Sequence, residues 1–553
     1  MEKSFVAHIE KSIRQNWELP ALSDYKGTTY YYKDIARKIA KIHIIFEKTG
    51  IRKGDKIALV GRNSSNWAVA FLSITTYGAI VVPILQDFKP DNIHHIVNHS
   101  EAMVLFTGDQ IWDNLNETKI PGVKCIISLT AFDILHENTP FSVRQIHGDL
   151  PRLFKEKYAT GFTPECITYH RDAPEELAII NYTSGTSGFS KGVMLPYRSL
   201  NSNLLFAEDV LPLEPGGNMV SILPLAHAYG GAFEFLYPIT RGCHINFLTR
   251  TPSPKIILEA FAELKPKVVL SVPLIIEKIY RKNILDAINK PSVKLLLKLP
   301  IVDRRICKKI NEKLTSIFGG EFHEVVIGGA ALNPEVESFL KKIGFRFTVG
   351  YGMTECGPIV AYAPWNETKL FSTGKAAPRM QIKIDSDDPE NIVGEILVRG
   401  DNVMLGYYRN EEATEAAFTP DGWMHTGDLG LLDKDGFLFI KGRSKNMILG
   451  ASGQNIYPEE IEARINNMPF VQESLVVEHS GKLIALVYPD YELADKQKIR
   501  TDDIQKKMEE NRMDVNKMLP AYCQISEVRL YPEEFEKTPK RSIKRFLYQA
   551  PSA

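Results

Sequence analysis

The chain has 553 residues, 44% apolar and 24% charged, with 37 glycines and 32 prolines. This is the usage of an ordinary soluble globular protein and excludes a disordered, fibrous or membrane chain, while the length excludes a small binding module and predicts several folding units. Lysine plus arginine and aspartate plus glutamate each number 67, so the overall charge calls for neither a nucleic acid nor an anionic membrane as partner.

In chain order, the N-terminal stretch MEKSFVAHIEKSIRQNWELP carries charges throughout and lacks the apolar core of a signal peptide. The six cysteines, Cys125, Cys166, Cys243, Cys307, Cys356 and Cys523, are too scattered for a disulfide framework or a zinc site, and we expect reduced thiols in a cytoplasmic protein. The uncharged run 67–85 nears membrane-spanning length, but Ser73, Thr75, Thr76, Gly78 and Pro83 interrupt it. It predicts a buried helix, a stop at Gly78 and a buried strand over 79–85. Further β-rich runs at 56–60, 102–106, 177–182, 219–223, 268–272, 324–327 and 346–349 alternate with helical stretches, which predicts α/β layers with largely parallel strands. Several end in glycine-bearing loops, at Gly185, Gly328 and Gly350, and ligands of open α/β sheets collect at such strand ends. Segment 290–310 interleaves lysines with Leu, Val and Ile. A core-facing helix with solvated lysines accounts for it, and an interfacial helix, with peripheral membrane contact, is the alternative. After Lys441 come a Gly-rich segment, a charged helix from Pro458, and runs 475–478 and 483–487 around the hairpin signal His479-Ser480-Gly481-Lys482. A long helix bearing Ile504, Met508, Val515 and Leu519 and a strand near 528–531 complete an α+β unit.

The stretch 177–195, LAIINYTSGTSGFSKGVML, is a buried strand feeding Thr183, Ser184, Gly185, Thr186, Ser187 and Gly188, then Lys191. Hydroxyls and backbone N–H groups of such a loop can wrap phosphate oxygens while Lys191 adds a positive charge. The spacing is not that of a P-loop NTPase, and a surface turn is the alternative for the loop taken alone.

Tyr182 to Gly192, Tyr351-Gly352-Met353-Thr354-Glu355, WMHTGDLG at 423–430 and GRSKNMILGASGQNIYPEEIE at 442–462 stand in the order and spacing of the AMP-forming adenylate synthetases. The chain resembles that superfamily of acyl-CoA synthetases, peptide-synthetase adenylation domains and luciferases over nearly its whole length. The resemblance implies a large N-terminal domain, 1–442, of layered α/β subdomains with an attached β-rich part. It also implies a hinge at 443–446, centred on Lys445, and a small mobile α+β domain, 447–553. Glu355 would hold Mg²⁺ against ATP oxygens, with Thr186 helping. Tyr351, Gly352, Thr354, Gly329 and Ala330 would accompany the phosphate loop around the nucleotide. Asp428 would accept the ribose hydroxyls, and Arg443 would contact ribose or phosphate. The loop Gly450, Ala451, Ser452 and Gly453 would meet the pantetheine arm of CoA after the domain turns.

Pro224-Leu225-Ala226-His227, the run VPLIIEKIY at 272–280 and an insert near 283–318 look like long-chain acyl-CoA synthetases. His227 would serve the catalytic set and, with Tyr229, Gly230, Phe233 and Gly328, an acyl pocket in which small residues open a channel and aromatics line it. Ordinary helix packing is the alternative. The reading is therefore a magnesium-dependent fatty acid–CoA ligase using ATP, Mg²⁺ and CoA. Its rivals are an acyl-AMP ligase loading a carrier protein, an aryl-CoA ligase and a catalytically impaired nucleotide-binding homologue. A fused carrier domain is not expected after Ala553. One mismatch stands out: the superfamily's C-terminal catalytic lysine falls on Ser542. Lys540 and Lys544, two residues to either side, are the replacements we expect, Lys540 before Lys544.

Overall fold

The computed structural model describes residues 4–183, 190–249, 254–281, 300–450, 454–538 and 543–548. Its largest sheet has eight strands. Leu177–Thr183, Ile80–Ile84, Lys56–Val60, Val104–Thr107 and Cys125–Ser128 run parallel at its centre. Ile134–Glu137 closes one edge antiparallel, and Lys191–Pro196 followed by Gly406–Tyr407 closes the other. Three of the central strands, Ile80–Ile84, Val104–Thr107 and Cys125–Ser128, are buried at every position, which is why the sequence shows unbroken apolar runs there and not alternation. The run 67–85 folds as read from its sequence: helix Ser65–Tyr77, a left-handed Gly78 at φ 86°, then the strand. A β-carbon on Gly78 would also sit 2.8 Å from the His170 ring. Among the described residues no helix is long and apolar enough to cross a membrane.

A smaller parallel sheet joins Val268–Ser271, Glu324–Ile327 and Phe347–Val349, and an antiparallel sheet joins Met380–Asp385, Gly394–Gly400, Met424–Leu432 and Leu438–Arg443. Most expected strands lie within one or two residues of their observed bounds. The strand anticipated over 219–223 is Asn218–Ser221 instead, because the buried Glu234 carboxyl takes the N–H groups of Ile222 and Leu223 (3.0 and 2.9 Å) out of the ladder. Helix Pro300–Ile317 buries Cys307 and Leu314 and leaves Lys308, Lys309 and Lys313 exposed, a core-facing helix with solvated lysines; the rest of the 290–310 segment lies outside the described residues.

From Ile448 onward the chain builds its own core. Val471–His479 and Lys482–Pro489 form the expected hairpin, with Ser480 and Gly481 both at positive φ, as a primed two-residue turn requires. Ile525–Leu530 adds a parallel strand, and helix Thr501–Asn516 covers the sheet with Ile504, Met508 and Val515. Leu519 falls beyond the end of that helix but still packs against the same cluster.

Candidate active site

The turn that presents Glu355 is crimped by two glycines. A β-carbon on Gly352 would lie 2.4 Å from the Pro358 carbonyl, and one on Gly357, at φ 61°, 2.4 Å from Ser199 Oγ. Between them Thr354–Cys356 makes a single 3₁₀ turn directly after the strand pair Tyr351–Gly352 and Ile359–Tyr362. The Tyr407 phenol donates to Glu355 Oε1 at 3.0 Å, and the Met404 N–H bonds the Glu355 carbonyl at 2.8 Å. Lys191 Nζ stands 4.7 Å from the centre of the Tyr407 ring. Burial, then the Glu355 charge, push the Tyr407 phenol well above its ordinary range, so it stays a donor. One tyrosine thus holds the lysine over its ring and the carboxylate on its hydroxyl, and Tyr407 is absent from the residues read from sequence. Its signal was the Gly406-Tyr407-Tyr408 step, whose role depends on strand Gly406–Tyr407 pairing with Lys191–Pro196. Thr183 and Lys191 face each other as the last pair before the connecting segment of the hairpin; Ser184, Gly185, Thr186, Ser187 and Gly188 lie outside the described residues.

Asp428 is 5% exposed. Its two oxygens take the Tyr351 phenol at 2.6 Å and the Arg443 guanidinium at 3.0 Å, the latter directly across the strand pair. Burial raises the Asp428 carboxyl from its ordinary value, and Arg443 opposes the shift. Burial and then Asp428 push the Tyr351 phenol far upward. Arg443 keeps 64% of its side chain in solvent, so it can turn to an anionic ligand. Gly329, at φ 88°, and Ala330 are exposed at the carboxyl ends of the small parallel sheet, where the nearest atom to an added Gly329 β-carbon is 3.7 Å away. Tyr351, Asp428 and Arg443 are thus joined side by side, with Glu355 in the turn just after Tyr351–Gly352, a set of polar groups that a nucleotide site can use. Magnesium keeps most of its waters and uses one or two carboxylates plus substrate phosphates. A single partly exposed carboxylate at Glu355 fits that chemistry.

His227 caps the helical run that follows it, its Nδ1 accepting the Tyr229 N–H at 3.3 Å. The backbone leading to it is held by three side chains. Glu234 accepts from Ile222 and Leu223, Asn63 bonds Leu223 O and Leu225 N, and Asn181 bonds Ala226 O. Gly230 and Gly231 are required by close approach: added β-carbons would meet Pro224 O at 2.6 Å and Leu225 O at 2.8 Å. The Tyr229 phenol donates to Val326 O at 3.0 Å and its ring covers Gly328, 3.2 Å from an added β-carbon. Phe233 packs between Phe206 and Tyr229, centroids 5.8 and 6.3 Å away. These aromatics fill space. A mostly apolar cavity of about 30 Å³ lies beside the same helix, lined by Ala228, Gly231, Ala232 and Gly357 among others.

Lys445 lies exposed in the 3₁₀ turn Ser444–Asn446, whose Asn446 amide donates to Glu459 at 2.7 Å. Gly450 closes a loop on Gln454 through a 2.8 Å backbone bond, and Ala451, Ser452 and Gly453 lie outside the described residues. Near the C-terminus an antiparallel bridge pairs Lys537 with Ile543. Lys544 is ion-paired with Glu536, Lys537 with Glu473 and Glu534, and Arg545 with Glu462. Lys540 and Ser542 lie outside the described residues.

The AMP-binding enzyme family matches residues 9–408 of this chain. The long-chain-fatty-acid–CoA ligase FadD15 of Mycobacterium bovis is 30% identical over 77% of this chain and 72% of its own length. The peroxisomal long chain acyl-CoA synthetase 7 of Arabidopsis thaliana is 28% identical over 85% of this chain and 70% of its own. Among solved structures, ATP-bound MatB from Rhodopseudomonas palustris superposes with a TM-score of 0.77 at 22% identity, over 99% of this chain and 98% of that one. The anthranilate CoA ligase AuaEII with anthranoyl-AMP gives 0.77 at 19%, over 99% and 96%. A set of polar groups that a nucleotide site can use, on a fold shared with adenylate-forming ligases and in a sequence whose relatives are acyl-CoA synthetases, has one assignment: the chain belongs to the AMP-binding enzyme family and is an ATP-dependent, AMP-forming CoA ligase.

Proposed function

We propose that the acid this ligase activates is a medium- or long-chain fatty acid. The observation that carries the reading is the mostly apolar cavity beside the Glu355 turn, lined by Gly357 and Ala228 among others. Its two amides are already spent: Asn181 bonds Ala226 O, and Asn203 bonds Ser199 O, Cys356 O and the Ile359 N–H. The surface there is mostly hydrocarbon, which suits an alkyl chain better than a second polar group. The long-chain relatives point the same way.

In this reading the fatty carboxylate attacks the ATP α-phosphorus and expels pyrophosphate, and the CoA thiol then displaces AMP. Lys191 and the Thr183 loop hold the phosphates, Asp428 and Tyr351 hold the ribose, and the site brings carboxylate and phosphorus in line. Bound at Glu355, Mg²⁺ would offset phosphate charge. Between the steps the unit beyond Lys445 turns, bringing the Gly450–Gly453 loop toward the thiol. The test is acid-dependent ATP–pyrophosphate exchange with a series of acids. Chains of about eight carbons or more are expected to outperform acetate and benzoate, since each buried CH₂ is worth about 0.8 kcal/mol. Glu355→Ala is expected to abolish most of the exchange. Preference for benzoate would replace the fatty-acyl reading with an aryl one, and unaffected exchange would reject the role of Glu355.

A further inference from the structure

The Glu355 turn and the strand that begins at Lys191 are far apart in the sequence, and a third segment, 404–408, is bonded to both. The Met404 N–H bonds the Glu355 carbonyl at 2.8 Å. The Leu405 and Tyr408 N–H groups bond the Met194 and Gly192 carbonyls at 2.9 and 2.7 Å, and Gly406 and Tyr407 pair antiparallel with Met194 and Val193. This strap sets the register of the Glu355 turn against the Lys191 strand.

The root of the Tyr407 side chain is fixed within the strap. The Thr414 hydroxyl accepts the Tyr407 N–H at 2.9 Å and itself donates to the Asn410 carbonyl at 2.8 Å. Gly406, at φ 141°, makes room for the same threonine, since an added β-carbon would lie 2.5 Å from Thr414 Cγ2. From that root the ring meets two groups of opposite charge. Lys191 Nζ stands 4.7 Å from the ring centre, and the phenol donates to Glu355 Oε1 at 3.0 Å. Among the described residues, this phenol gives Glu355 its one side-chain hydrogen bond, and neither Glu355 nor Lys191 has an ion-pair partner. An ammonium and a carboxylate held on one ring attract each other. A direct pair would neutralise both and turn each away from a ligand. The tyrosine gives each its own place instead, a π face for the cation and a neutral hydroxyl for the anion.

We infer that Tyr407 is a positioning residue that keeps the Glu355 carboxylate and the Lys191 ammonium apart, so that one can hold Mg²⁺ and the other the phosphates of the same ATP. The inference rests on the roles proposed above for Glu355 and Lys191. With the hydroxyl removed, the carboxylate is free to close on the lysine, and ATP must then break that pair to reach the ammonium.

The experiment titrates the full-length protein with ATP by calorimetry in EDTA, and separately measures the Mg²⁺ concentration that half-saturates acid-dependent ATP–pyrophosphate exchange. It compares the parent with Tyr407→Phe, Glu355→Ala and the double variant; thermal melts verify folding, and Tyr407→Met takes the place of Tyr407→Phe should the latter fail to fold. Tyr407→Phe is expected to weaken metal-free ATP binding about fivefold, the upper end for a partly exposed ion pair, and to raise the half-saturating Mg²⁺ concentration. The double variant is expected to bind ATP in EDTA as well as Glu355→Ala does, because no carboxylate is left to occupy the lysine. That rescue is what a merely structural tyrosine would not show. If the weakening persists in the double variant, or Tyr407→Phe binds metal-free ATP like the parent, the role of Tyr407 is overturned while that of Glu355 stands. If Glu355→Ala leaves the Mg²⁺ dependence of exchange unchanged, the assignment of Glu355 falls and the inference falls with it.

Discussion

Asp428 carries the densest polar environment in the nucleotide site, with a phenol on one oxygen and a guanidinium on the other. Each carboxylate oxygen has two lone pairs, so both retain capacity for a ribose hydroxyl. Asp428→Ala is expected to weaken ATP binding by roughly 1–3 kcal/mol, the worth of hydrogen bonds to a charged acceptor; calorimetric titration checks it, and an unchanged affinity rejects the ribose role. Asp428 was legible because it lies inside a contiguous motif. Tyr407 was not, since its two contacts, Glu355 and Lys191, are distant in sequence and meet only through strand pairing. A second carboxyl yields a pH prediction. Glu337 is buried with the Phe371 N–H on its Oε1 at 2.6 Å, and burial raises its carboxyl to about 7. A raised carboxyl favours the fold fully below the unfolded value, near 4.5, and loses that advantage as pH climbs through 7. The loss reaches about 3 kcal/mol. Glu337→Gln cannot ionise, so its apparent Tm is expected to gain on the parent steadily between pH 5 and pH 8. A constant difference across that range would contradict the assignment.

At the scale of elements, the loop that delivers His227 and the helix that follows are one packed unit. Glu234 reaches back from the helix to the loop, and the Gly230 and Gly231 backbones nest against the loop carbonyls. Gly230→Ala would press a β-carbon within 2.6 Å of Pro224 O and 3.1 Å of Leu223 Cβ. Overpacking of that kind is expected to cost about 1–3 kcal/mol and, by shifting the loop, to slow adenylation. Thermal melts and single-turnover acyl-AMP formation check both, and a variant that melts and turns over like the parent would show that the loop tolerates displacement. The sequence showed these small residues as candidates for opening a channel, because a glycine's identity does not reveal what occupies the space beside it. Here backbone carbonyls from the preceding turn do. The strands, by contrast, were legible almost to their ends, since burial on both faces of a parallel sheet leaves an unbroken apolar run. The cavity was not, because its wall draws on Phe5, on central strands and on Gly357, residues that only the folded sheet brings together.

At the scale of the whole molecule, the resemblance to adenylate synthetases implies a catalytic cation from the C-terminal segment, and Ser542, which stands at its position, cannot supply one. The structure narrows the choice among the neighbouring lysines. Lys544 is held by Glu536, both through its ammonium and through a 2.9 Å backbone bond from its N–H to the Glu536 carbonyl. Lys537 is shared between Glu473 and Glu534. Lys537 is bridged to Ile543, and Arg545 pairs with Glu462. Lys540 stands between Lys537 and Ile543 in the sequence and lies outside the described residues. For Lys544 to act, a solvent-exposed ion pair must break, and such pairs are weak; its pairing disfavours it without forbidding it. Lys540→Ala is therefore expected to cripple acyl-AMP formation while thioester formation from supplied acyl-AMP persists. Lys544→Ala is expected to slow adenylation less. Following the two half-reactions separately for each variant decides the matter. Selective loss of the first half-reaction in Lys544→Ala would transfer the role to that residue, and normal adenylation in both would mean that neither lysine replaces the missing one.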